Sequence, residues 1–120
     1  MPTAFELLAD NLRLLSDERR VLQVLVRATP IAMRGQPTMA PFPELMAALD
    51  VDERSVAGVG AVLRRLATMR AMDGSDWRQS FCLVDSFSWG EEETFVHYKL
   101  GSELLGNLHR IAAERGTALY

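Results

Sequence analysis

The chain has 120 residues, 48% of them hydrophobic and 24% charged, with a formal net charge of −3. That length suits one domain around one core over 1–120, and the composition excludes extensive disorder. The acidic balance counts against strong unassisted nucleic-acid binding, whose non-specific affinity comes from basic groups meeting phosphate.

Cys82 is the single cysteine. It excludes an internal disulfide and a cysteine zinc cluster, and it reads as a small apolar strand residue. The N-terminus lacks the basic-then-apolar layout of a signal peptide, and no apolar run is long enough to span a bilayer. The expectation is a cytoplasmic protein without a membrane partner.

Thr3-Ala4-Phe5-Glu6 fits a capping box opening a short helix to about Asn11. Ser16 reads as a second N-cap, with Asp17 and Glu18 at the positive end of the helix dipole. The helix Asp17 to Ala28 carries Val21, Leu22, Val24, Leu25 and Val26, apolar around much of its circumference and therefore central. Residues 29–43 hold Pro30, Gly35, Pro37, Pro41 and Pro43 and read as a loop, with one extended segment near Thr38-Met39-Ala40.

Pro43 suits a helix first turn, and a short helix runs from it to Leu49. Asp50-Val51-Asp52 breaks it, and a longer helix follows from Glu53 to about Met69. Together these read as helix-turn-helix. At about 100° per residue, Val56, Val59, Leu63, Leu66 and Arg70 share one side of the second helix, with Gly60 and Ala67 at its edge. Arg54, Gly58, Ala61 and Arg65 share the other, which reads as a solvent or partner face.

Beyond the polar break Asp73-Gly74-Ser75-Asp76 lie two predicted strands. In Ser80 to Trp89, Phe81, Leu83, Phe87 and Trp89 share one parity with Asp85 among them. In Thr94 to Leu100, Val96, Tyr98 and Leu100 share one face. Gly90-Glu91-Glu92-Glu93 connects them into a hairpin. Ser102 caps a last helix with the stripe Leu104, Leu105, Leu108, Ile111 and Ala112; Gly116 ends it, and 117–120 is expected to fray. The fold expected is therefore α+β and mainly helical: a winged helix-turn-helix with a C-terminal β-hairpin and a terminal helix.

No catalytic constellation emerges, so the chain reads as a binding protein and not an enzyme. His97 and His109 are not at metal-ligand spacing from each other or from Cys82, so neither metal nor cofactor is expected. Gly58-Val59-Gly60 lacks the preceding strand of a nucleotide fingerprint. Asp50, Asp52 and Glu53 are explained by a helix N-terminus.

The arginines carry the best binding signal. Arg54 and Arg65 stand about 16 Å apart along a helix. Gly58 and Ala61 between them would let a backbone come close, and mid-helix glycines cost of order 1 kcal/mol each. Arg64, Arg70 and Arg78 extend the surface: from 54 to 78, five arginines face only Asp73 and Asp76, a local excess of +3. DNA phosphate or groove contact follows, with a solvated helix face as the plain alternative. Glu91, Glu92 and Glu93 would repel phosphate, so the hairpin is expected to turn away from DNA or toward a basic protein. The stripe Leu104, Leu105, Leu108 and Ile111 either completes the core or pairs two copies into a homodimer.

Three stretches resemble a known family. Leu15-Ser16-Asp17-Glu18 before an apolar helix looks like the opening of the first winged-helix domain of plasmid replication initiators of the Rep and TrfA type. Val62-Leu63-Arg64-Arg65-Leu66 is similar to their helix before the wing. Ser80 to Trp89 followed by Val96 to Leu105 resembles their long hairpin running into a capped helix. The resemblance covers most of 15–112 and rests on apolar and turn patterns. It implies a role in DNA replication, with this domain serving dimerisation and backbone contact. A related transcription regulator is the neighbouring expectation. The competing one is a winged-helix protein-interaction module (an adaptor, inhibitor or assembly subunit) that binds no DNA.

Overall fold

A computed structural model describes residues 2–29, 36–72, 80–92, 94–101 and 103–120; at 70–72, 80 and 81 it describes the backbone alone. The described residues form an α+β domain that is mainly helical. In chain order the elements are α1 (Ala4–Leu12), α2 (Ser16–Ala28), β1 (Thr38–Pro41), α3 (Phe42–Ala47), a 3-10 turn (Val51–Glu53), α4 (Val56–Thr68), β2 (Arg70–Met72), β3 (Ser80–Cys82), β4 (Val84–Ser88), β5 (Phe95–Leu100) and α5 (Leu104–Arg115). None of the described helices is long and apolar enough to cross a membrane.

Local chemistry sets several boundaries. Thr3 caps α1, its hydroxyl accepting from the Glu6 amide at 3.1 Å. Helix α2 starts one residue earlier than the pattern predicts, with Leu15 at the cap position. Leucine has no acceptor to offer there; the Glu18 carboxylate compensates from within the helix by accepting from the Leu15 amide at 2.9 Å. Gly116 ends α5 in the left-handed conformation, φ 65°, which glycine adopts without steric cost. The cap expected at Ser102 and the polar break at 73–76 lie outside the described residues.

Strands β1, β5 and β4 form an antiparallel sheet in that order, and β2 and β3 form a separate antiparallel pair. Strand β5 sends Val96, Tyr98 and Leu100 inward, as its alternation predicts. The predicted strand Ser80 to Trp89 is instead two strands parted at Leu83, with an irregularity in pairing between Val84 and Ser86. Leu83 and Val84 are consecutive and both fully buried, which strict alternation forbids. The extra residue at the bulge turns Asp85 outward, 3.6 Å from Lys99.

The core lies between α2, α4, α5 and the inner sheet face. Val21, Leu22, Leu25 and Val26 of α2 have no solvent exposure, which bears out its central place. One polar knot ties α2 to β5. The Thr29 and Tyr98 hydroxyls lie 2.9 Å apart, and each is 2.8 Å from the Leu25 carbonyl oxygen. Burial raises the Tyr98 pKa, with the Thr29 hydrogen bond opposing it.

The C-terminal tail is docked and not frayed. The carbonyls of Ala118 and Leu119 accept from the Ala4 and Phe5 amides at 2.8 and 2.9 Å. These two amides belong to the first turn of α1, which has no partners of its own within the helix. Leu119 and Tyr120 pack on the core, and the Arg27 guanidinium lies 5.9 Å from the centre of the Tyr120 ring.

Candidate functional site

Helix α4 is held between the core and solvent by its own pattern. Val59, Gly60, Val62, Leu63 and Leu66 are buried. Ala57, Ala61, Arg64 and Thr68 are exposed and fall at helical spacings of four, three and four, forming one outward stripe. Ser55 caps the helix, its hydroxyl accepting from the Gly58 amide at 3.0 Å. The 3-10 turn over Val51–Glu53 replaces the first predicted turn of this helix, so Arg54 precedes α4 instead of riding on it.

This relocation changes the arginine face. Arg54 turns back on α3, its Nε donating to the Leu49 carbonyl at 3.2 Å and its Nη2 to the Ala47 carbonyl at 3.5 Å. Arg20, which the sequence did not single out, approaches the same helix end. Its Nε donates to the Ala48 carbonyl at 2.6 Å and its Nη2 to Asp50 at 2.8 Å. Helix C-terminal carbonyls lack intrahelical donors and carry partial negative charge, so both cations stabilise the turn.

Arg65 is also occupied. Its Nη2 lies 2.8 Å from Asp17 Oδ2 and its Nε 3.2 Å from Glu18 Oε2. Arg64 is exposed and makes no hydrogen bond or ion pair with a described residue. Arg70 is a β2 residue whose side chain lies outside the described part, and so does all of Arg78; the core position expected for Arg70 on α4 is lost because α4 stops at Thr68.

The glycines of α4 serve the chain's own packing. A Cβ on Gly58 would drive into the backbone carbonyl of Glu53 and stand 3.2 Å from Leu49 Cδ1. A Cβ on Gly60 would stand 3.1 Å from the Trp89 ring. Trp89 meets Phe42 edge-on at 5.5 Å and stacks with Phe87 at 6.0 Å. The turn end of the β4–β5 hairpin is thereby packed on α3 and α4. The clearance expected for an outside backbone is thus filled at Gly58 by the 3-10 turn and at Gly60 by an indole.

Glu91 and Glu92 are exposed at the hairpin connection, while Glu93 lies outside the described residues. Leu104, Leu105 and Leu108 are at most 3% exposed and belong to the core of their own chain, and Ile111 is half-buried. The three leucines therefore complete that core. Between α1 and α5 an open cleft of about 420 Å³ has Leu7 and Ile111 in its walls and Asn11, Asn107 and Glu114 among its polar lining. On the outer sheet face Met39 and Phe95 are the exposed apolar residues beside His97.

Among the described residues the site offers Arg64 without a partner, a stripe of small side chains and a hairpin packed on α3 and α4. Comparison with known protein families, with curated proteins and with solved structures found no match for this chain.

Proposed function

We propose that the chain is a winged-helix domain that binds duplex DNA through the exposed stripe of α4, with Arg64 as its principal contact. The stripe carries this reading: Ala57, Ala61 and Thr68 leave room for a groove wall, and Arg64 stands among them with no partner among the described residues. The element order supports the architecture. A helix (α2), a strand (β1), two helices joined by a short turn (α3, α4) and a hairpin (β4, β5), with β5 between β1 and β4, is compatible with a winged helix-turn-helix in which the β2–β3 pair is inserted between α4 and the hairpin. In that arrangement the second helix of the pair enters the major groove. Replication initiation is the biological setting that the initiator-like stretches favour, with transcription control as its neighbour.

Magnitudes limit the affinity. Among the described residues of this face Arg64 has no partner, while Arg54 and Arg65 are committed within the chain, so the described face meets few phosphates. Each phosphate contact adds about 0.9 to the slope of log affinity against log salt. One to three contacts give weak, salt-sensitive binding, and a second copy on adjacent DNA doubles the count. The test is a fluorescence-anisotropy titration against a random duplex at two salt concentrations. Arg64→Ala is expected to weaken binding and flatten the slope by about 0.9. Absence of wild-type binding at low salt, or unchanged binding by Arg64→Ala, refutes the proposal.

A second reading, a module that binds a basic protein surface, is favoured by the exposed Glu91 and Glu92. The two separate on Glu91→Lys with Glu92→Lys. On the DNA reading this double variant binds duplex more tightly, whereas on the protein reading neither form binds it.

A further inference from the structure

We infer that Asp17 and Glu18 act as an internal stand-in for phosphate: they hold Arg65 in an intramolecular contact and so set the DNA affinity of α4 low. The inference rests on the DNA reading above and names how that same site is regulated. Arg65 follows Arg64 on α4 and is 44% exposed at its side chain, so solvent reaches the guanidinium. The two carboxylates are far less exposed, at 11% and 3%. They approach different nitrogens, Asp17 at Nη2 and Glu18 at Nε, the forked engagement that arginine offers to a carboxylate or a phosphate.

The first turn of α2 fixes this pair in place. Asp17 Oδ1 accepts from the Glu18 amide at 2.8 Å, and Glu18 Oε1 accepts from the Leu15 amide at 2.9 Å. Each carboxylate thus keeps one oxygen on the backbone and offers the other to Arg65. Arg64, Arg65, Asp17 and Glu18 together carry no net charge. Carboxylates beside Arg65 repel a phosphate over about one screening length, roughly 10 Å at 0.1 M salt. To engage Arg65 it must displace acids that are already anchored.

Asp17→Asn tests this, because the amide oxygen still accepts from Glu18 while the charge facing Arg65 is lost. Asp17→Ser repeats the test with a smaller acceptor, and thermal melts set a temperature at which both variants are folded. Random-duplex binding is measured at 50 and 200 mM salt, with and without Arg65→Gln. Each released phosphate contact steepens the salt slope by about 0.9, which is about three- to fourfold in affinity over that range. The expected result is a gain over wild type that is about three- to fourfold larger at 50 mM than at 200 mM salt for both Asp17 variants, absent when Arg65→Gln is also present. Wild-type binding with no gain, or an equal gain in the Arg65→Gln background, overturns the inference and leaves the DNA reading standing. Absence of binding by wild type and variants alike overturns both.

Discussion

Replacing Gly58 with alanine separates two accounts of the same residue by the sign of the effect. If the glycine only kept an outer helix face clear, Gly58→Ala would add helix propensity and stabilise the fold by up to about 1 kcal/mol. The new Cβ instead collides with the backbone carbonyl of Glu53 and presses on Leu49. A carbonyl in a 3-10 turn cannot rotate away as a side-chain tip can, so the turn must shift. Forcing a methyl group into a filled space costs about 1–3 kcal/mol. Shifting the turn also strains the Arg54 hydrogen bonds to α3. The net expectation is a loss of about 1–2 kcal/mol. For a domain of this size that lowers Tm by about 3–10 °C. Urea unfolding followed by circular dichroism gives the free energy, and a thermal melt gives Tm. Ala61→Gly, on the exposed stripe, is the control and should lose only the propensity term of about 1 kcal/mol. A Gly58→Ala protein as stable as wild type, or more so, would show that the Glu53 carbonyl does not occupy this space.

Tyr98→Phe removes a hydroxyl from the Thr29–Leu25 knot and should cost about 1–2 kcal/mol in urea unfolding. Burial raises the folded-state pKa of Tyr98 above its ordinary value of 10.0, so the unfolded chain releases this proton first as pH rises. The tyrosine's contribution is fully present below about pH 10 and is lost as pH climbs through the folded-state value. Stability curves measured from pH 8 to 11 should therefore fall more steeply for wild type than for Tyr98→Phe. Arg65→Ala leaves Asp17 and Glu18 with little exposure and no cation. With the half-exposed arginine limiting the loss, it should destabilise by about 1–3 kcal/mol, read as a lower urea midpoint. Deleting 117–120 uncovers the Ala4 and Phe5 amides; hydrogen exchange at both should approach that of a frayed helix end while the α2 amides stay protected.

Much of the fold is written locally. The apolar circumference of α2 announced its burial. Thr3 and Gly116 marked helix ends because a hydroxyl cap and a left-handed cap each need a particular residue at one position. The inward face of β5 followed from its period of two. Arg64 could be read as a surface residue because its exposure depends on the wheel of α4 alone. Tertiary structure decided the rest. Asp17 and Arg65 meet across a sequence separation of 48, and no helical pattern encodes a charge pair between two helices. Gly58 looked like an outward clearance because a wheel gives direction without reporting what fills the space; the Glu53 carbonyl fills it. The break at Leu83 and the outward turn of Asp85 arise from a bulge, which alternation cannot register. The tail is ordered because the first amides of α1 need acceptors, and Ala118 and Leu119 bring them from the other end of the chain. Sequence by itself determined where the main helices and the β5 strand lie and which of their faces are apolar, because those patterns are local. Only the assembled structure decided which arginines are already spent, because ion pairs and backbone contacts form between segments that the chain keeps far apart.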